Sequence, residues 1–376
     1  MDKEKKPLKK WLYWFSLALA IICFYKLLDD YVYITDWIGN LLSILMPFLI
    51  GILIAYLLYI PCKRVETLID KSKFKIIKNK SKLIAILIVY VIVILAIILS
   101  VKFVIPMISQ SVIDLVNNFQ NYYNSFMNMI NELPADSIFK SDAANDVINN
   151  MKNIDLKQYI NIQKIGEYAI GVLSAASGVI DAFIAIIVSV YILYDRRKII
   201  AFIKKLVNAI FEKKVATKVI NYFNRTNEII IKFIASQFLD AIVVGILTAI
   251  AMKILDVKYG TTLGVLIGIS NLIPYFGAIV GVGISIIITI FTGGISKAIW
   301  MAIIIIILQQ IDANIINPKI VGNSLKISPL LVIFAVTIGG AYFGALGMFL
   351  AVPVVAIIKI IIIDFIEYKS RKKQLD

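Results

Sequence analysis

The chain has 376 residues, of which 60% are hydrophobic and only 17% charged, with no histidine and a mean hydropathy of +0.88. A soluble chain of this length needs a polar exterior, and ordinary composition is about 45–50% apolar and about 25% charged, so this is an integral membrane protein. Without histidine there is no Ser-His or Cys-His catalysis and no His-ligated metal. The two cysteines, Cys23 in an apolar run and Cys62 beside a basic loop, make neither a thiolate metal site nor a disulfide framework, so no cofactor or metal is expected. The net charge of +15 comes from basic residues clustered between apolar spans, where they orient helices in a bilayer and do not signal nucleic acid.

In chain order, residues 11–28, 37–60, 83–105, 171–194 and 229–252 each have the roughly 20 apolar residues that a crossing helix needs. The first follows a basic lead but runs into Lys26, Asp29 and Asp30 with no small-residue cleavage site, so it is expected to stay attached. Five lysines precede it, eight basic residues occupy 61–82 and nine occupy 195–227. By the positive-inside rule these segments are cytoplasmic. Asp29, Asp30, Asp36 and the segment 106–170, with seven acidic residues against four lysines, fall outside. Lys369, Arg371, Lys372 and Lys373 in the tail bring both termini to the cytoplasm, so the number of crossings is even.

Residues 106–170 are the one sizeable region that need not lie in lipid, giving an expected division into 1–105 (three membrane helices), 106–170 (extracytoplasmic, helical) and 171–376 (membrane core). Ile105, Ile108, Val112, Leu115, Phe119, Tyr122, Phe126 and Ile130 recur at steps of three and four, which predicts one apolar stripe on a helix ending near Pro134. That stripe serves packing within the chain or contact in a homo-oligomer. A second helix is expected from Asp155, a good N-cap.

After the fifth span, 261–294 and 329–363 are each about 35 apolar residues, too long for one ordinary crossing. Each breaks near its middle, at Ile273-Pro274-Tyr275-Phe276-Gly277-Ala278 and at Gly339-Gly340-Ala341-Tyr342-Phe343-Gly344-Ala345, and the tetrapeptide Tyr-Phe-Gly-Ala occurs in both. Proline and glycine interrupt helices, and paired interrupted segments point to a transport site; the alternative is that the glycines only permit close helix packing. Between them, 296–316 is a sixth crossing with a polar far end: Gln309, Gln310, Asp312 and Asn314, before a break at Pro318. The expected fold is therefore all-α and polytopic, with six full crossings plus two re-entrant hairpins hinged at Pro274, Gly277, Pro318, Gly340, Gly344 and Pro353; eight plain crossings are the alternative.

The signatures Asn271-Leu272-Ile273-Pro274-Tyr275-Phe276-Gly277 and Gln309-Gln310-Ile311-Asp312-Ala313-Asn314, with Asn317-Pro318-Lys319, Ser328-Pro329-Leu330 and Ala351-Val352-Pro353, resemble the autoinducer-2 exporter family of PerM-like permeases. Tyr191 to Arg196 and the long segment after the third span extend the likeness over nearly the whole chain. Ser328 stands where that family often carries histidine. The resemblance implies an oligomeric permease of the bacterial cytoplasmic membrane, from a family associated with export of a small signalling furanone, with sodium or lithium antiport against protons, and with sporulation.

Ionisable groups inside a membrane are costly and are functional candidates by default. Asp181 shares a small-residue face with Gly171, Ser174, Gly178 and Ala185, and is either a buried structural group or a transport carboxylate. Asp240 follows Ser236 and Gln237 by a turn, with only Lys232 nearby; low dielectric favours the neutral form of an unpaired carboxylate, which suits a proton carrier. Asp312, beside Gln310 and Asn314, offers oxygen ligands to a hard cation, or is simply a polar helix end. A neutral polyhydroxylated solute would be lined by Gln237, Asn271, Tyr275, Gln309, Gln310 and Asn314. There is no phosphate-binding Gly-Lys loop and no Gly-x-Ser-x-Gly elbow, so no enzyme is expected and transport draws on an ion or proton gradient. The rival from another class is a non-transporting membrane scaffold that uses 106–170 to bind a partner.

Overall fold

The computed structural model describes residues 31–71, 75–134, 137, 140–141, 176–321 and 327–375, with 11, 13–19, 21–22 and 25–26 nearer the start. Regular structure among them is helical throughout: α1 Tyr31–Ile69, α2 Lys75–Asn79, α3 Ser81–Leu99, α4 Ile105–Glu132, α5 Ala176–Ile210, α6 Lys213–Ile254, α7 Gly260–Ser270, α8 Phe276–Ile311, α9 Asn317–Val321 and α10 Pro329–Leu375. A π-helical turn, Ser100–Val104, joins α3 to α4, and another, Asp312–Ile316, joins α8 to α9. The helix expected from Asp155 lies outside the described residues, as does the start of the predicted fourth span.

Gly39–Ile69, Ser81–Glu132, Lys213–Ile254, Phe276–Lys319 and Pro329–Glu367 are long and apolar enough to cross a membrane, and Gly260–Ser270 is a shorter apolar helix. Their outward faces carry isoleucine and aromatic side chains, with Ile254 80% and Ile279 74% exposed. Such surface is a liability in water and the natural exterior in lipid. The protein is a polytopic, all-helical membrane protein.

Neither long segment after α6 runs straight. Asn271 to Tyr275 form a turn between α7 and α8, where Tyr275 adopts a φ of +63° and a Cβ on Gly277 would collide with the Ser270 carbonyl. Within α8 the chain folds back at Gly294, whose φ of +85° and ψ of 166° are not helical; consequently Thr289 Oγ1 meets Met301 Sδ at 3.0 Å. The twelve residues between them would span about 18 Å in a straight helix. Gly344 does the same in α10, with φ +59° and ψ −147°. Beyond it the two arms touch so closely that a Cβ on Gly339 would lie 2.8 Å from the Ala351 side chain. Both predicted hairpins are therefore present, and Lys297 Nζ donates to the Asp256 carbonyl at 2.7 Å, so the first hairpin ends where it began.

The α6 helix is the element against which the rest is ordered. The α7 arm descends along it at backbone contact: a Cβ on Gly264 would lie 2.6 Å from Ala249 Cα, and one on Gly268 would lie 2.8 Å from the Ala241 carbonyl oxygen. In lipid, where apolar side chains gain nothing by leaving solvent, small residues drive such association through close packing. On another side of α6, Phe233 and Ile234 pack with Val332, Val336, Phe349 and Val352 of the second hairpin. A separate bundle joins α1, α3 and α5 around Ala55, Leu58, Ile86, Val89, Tyr90 and Leu193, tied by Tyr90 to Ser189 at 2.5 Å. Finally, α4 lays Tyr123, Phe126 and Ile130 on the base of the first hairpin, with the rings of Phe126 and Phe291 4.9 Å apart.

Candidate functional site

The α6–α7 register decides what meets at the centre. Because glycines let α7 ride close to α6, the turn that ends α7 places Asn271 beside Gln237 and Asp240. Gln237 Nε2 donates to the Asn271 carbonyl at 2.8 Å, and Asn271 Nδ2 donates to Asp240 Oδ2 at 2.9 Å. Asp240 is only 1% exposed. Lys232, two turns back on α6, is occupied by Glu228 at 2.7 Å, so it does not neutralise Asp240.

Asp312 arrives from α8. It begins the π-helical turn, and its carboxyl comes within hydrogen-bonding reach of that of Asp240. With both ionised, Asp240 Oδ1 and Asp312 Oδ1 are buried without a donor, and the amide nitrogen of Gln309 nearby is buried without an acceptor. Each such orphan costs about 1–3 kcal/mol. A proton held by one carboxyl would supply the missing donor to the other. The pair opens on a cavity of about 340 Å³ lined by Gln237, Asp240, Asn271, Pro274, Tyr275, Gln309, Asp312 and Asn317, and walled by Phe233, Val332 and Val352.

The structure thus brings together Asp240, Asp312, Gln237, Asn271, Tyr275, Gln309 and Pro274 of the predicted set. It leaves others apart. Gln310 and Asn314 lie on the exposed face of their helix, where Asn314 Nδ2 donates to the Gln310 carbonyl at 2.8 Å. Asp181 is exposed on α5 and does not line the cavity. Gly277 lies under the first turn, Pro353 is fully buried in the second hairpin, and Pro318 is exposed after the π turn. Gly340 precedes the second tip, where Tyr342 and Phe343 are 78% and 70% exposed; that tip is not part of the cavity, to which its hairpin contributes Val332 and Val352 instead.

The family model for the AI-2E family transporter matches residues 15–367. The chain belongs to the AI-2E transporter family. It is 26% identical to YueF of Bacillus subtilis (strain 168), provisionally named a transport protein, over 84% of this chain and 83% of that one. Over 85% of this chain and 87% of the other, it is 26% identical to PerM of Escherichia coli (strain K12), provisionally named a permease. Members of the AI-2E family are transporters, and transport across a bilayer is the function class of this multi-pass chain.

Sequence reading missed Asn317 and the apolar wall, Phe233, Val332 and Val352. The asparagine carried a signal, since it sits in the Asn-Pro-Lys signature after the polar helix end. The wall did not, because one more valine in so apolar a chain is silent.

Proposed function

We propose that this chain is a secondary transporter of a small polar solute, such as the signalling furanone, driven by an ion or proton gradient at the Asp240–Asp312 pair. The observation that carries this reading is the close approach of two carboxyls, with no basic partner among the described residues, beside an orphaned amide donor in a cavity of an apolar fold. Such charges are expensive in a membrane and persist where they serve. One proton shared by the pair neutralises half the charge and satisfies the free oxygens, and its loss restores both repulsion and unpaired acceptors. Loading and unloading that proton therefore changes what the cavity can hold. Gln309, Asn271 and Gln237 supply the hydrogen bonds a hydroxylated cargo needs, and Tyr275 a ring for stacking.

The same carboxylates support a second reading, sodium or lithium antiport against protons, because a hard cation accepts oxygen ligands of this kind. Both readings place the protein in the bacterial cytoplasmic membrane with both termini inside. Flux into proteoliposomes under an imposed pH gradient tests them, with the furanone, sodium and lithium offered in turn. Solute-dependent proton movement supports the first reading and cation-dependent movement the second. Gradient-independent leakage of all three would refute both.

A further inference from the structure

We propose that the cleft between α1, α5 and α6, at Tyr59 and Arg196, is a binding site for an anionic phospholipid. At this end of the bundle the apolar spans give way to basic loops, which is headgroup depth. A chamber of about 500 Å³ opens there, lined by Tyr59, Lys63, Arg64 and Arg196 and by the mutually paired Glu228 and Lys232. The Arg196 guanidinium stacks on the Tyr59 ring, 3.5 Å from its centroid, which fixes the cation in place. Its neighbours are already matched: Arg197 pairs with Glu66 at 3.5 Å, and Lys232 with Glu228. Lys63, Arg64 and Arg196 have no carboxylate partner among the described residues, so the chamber holds three uncompensated positive charges.

The chamber continues, through Tyr59 and Arg196, into an apolar groove of about 250 Å³ that includes Ile199 and Ile203. A soluble phosphate would fill the basic chamber and leave the groove empty. A phospholipid has the same gradient of polarity as the site, with an anionic phosphate at one end and an acyl chain at the other. Basic pockets between membrane helices recognise anionic headgroups, with about 1 kcal/mol from each Lys or Arg. The site is separate from the Asp240–Asp312 cavity, so its test does not depend on the transport reading.

The test is native mass spectrometry of the delipidated full chain titrated with phosphatidylglycerol or phosphatidylcholine. The wild type should retain phosphatidylglycerol in preference, and each basic residue removed should cost roughly fivefold in retention. K63Q/R64Q, whose side chains are exposed, should show that loss without a change in folding, and adding R196Q should bring retention to the phosphatidylcholine level. K204Q/K205Q, further along α5, should behave as wild type. Equal retention of the two lipids by the wild type, or undiminished preference in K63Q/R64Q/R196Q, would overturn the proposal. In a parallel arm, millimolar inorganic phosphate should leave the thermal midpoint unmoved. Protection by phosphate equal to that by phosphatidylglycerol would assign the site to a soluble anion and overturn the lipid.

Discussion

Gln309 points a buried amide donor into a cavity where nothing accepts its hydrogen bond. Leucine there would remove an orphan worth about 1–3 kcal/mol, so Gln309→Leu should melt at or above the wild-type temperature while cargo flux falls about tenfold, the ratio that one lost hydrogen bond of 1.4 kcal/mol gives. A variant with unchanged flux would remove Gln309 from the cargo site. Asp240 behaves in the opposite way because Asn271 depends on it. Asp240→Asn keeps an oxygen for Asn271 Nδ2, whereas Asp240→Leu strands that donor and should lower stability by about 1–3 kcal/mol. Chemical denaturation of the two variants side by side separates them. The identities of both carboxylates were legible in the sequence, since an aspartate inside an apolar run is conspicuous. Their contact was not: it depends on the close approach of α7 to α6 and on the π turn that re-aims Asp312, and π turns leave no composition signal. Asp181 shows the converse, a conspicuous aspartate that the fold leaves on the surface of α5.

At the scale of elements, the paired hairpins were readable because length and chemistry agreed: 35 apolar residues are too many for one helix, and Pro274, Gly277 and Gly344 each occupy a position that turns the chain or that a side chain would block. What the sequence could not say is which glycines touch a neighbour. Gly268→Ala pushes a methyl to 2.8 Å from the Ala241 carbonyl and should cost about 1–3 kcal/mol by forcing α7 away from α6. Gly283 has nothing within 4 Å, so Gly283→Ala should be neutral or stabilising by up to about 1 kcal/mol. Thermal melts in detergent that ranked the two the other way would contradict the packing. The join between α4 and the first hairpin was not foreseen. Asp114 accepts from the hydroxyl of Tyr259 and that of Tyr122 at 3.2 Å, and pairs with Lys258 at 3.2 Å. Its hydrogen bond to Tyr122 holds the Lys258 ammonium above the usual lysine range, while burial and Asp114 push the Tyr259 hydroxyl upward. A cation with a raised folded-state value stabilises fully below the ordinary lysine pKa of about 10.4 and loses that contribution as pH climbs through the raised value. The clamp should therefore be intact at neutral pH. Asp114→Ala should raise hydrogen exchange in residues 105–132 and 255–259 there, and unchanged exchange would show that the clamp contributes nothing.

For the whole molecule, the expected sidedness rests on the basic loops, and the fold now ties distant segments to one end or the other. Asp256 and Lys297 meet at one end. Arg225 pairs with Asp364 at 3.1 Å, joining α6 to the tail that carries the basic cluster. In a background without Cys23 and Cys62, a cysteine at Lys297 should react with an impermeant reagent in intact cells, and one at Lys78 should react only after lysis; the reverse pattern would invert the topology. The arrangement of the two tips departs from a symmetric gate, because only the Asn271–Tyr275 turn reaches the cavity while Tyr342 and Phe343 point away from it. Sequence repetition marked two similar turns, and tertiary packing gave them different places. In the transport reading proposed above, coupling falls on the carboxyl pair, and gradient-driven flux through Asp240→Asn/Asp312→Asn proteoliposomes tests that proposal most directly. The double variant should fold and its flux should no longer respond to an imposed pH gradient, where the wild type responds strongly; gradient-driven flux at the wild-type rate in the double variant would remove the pair from coupling.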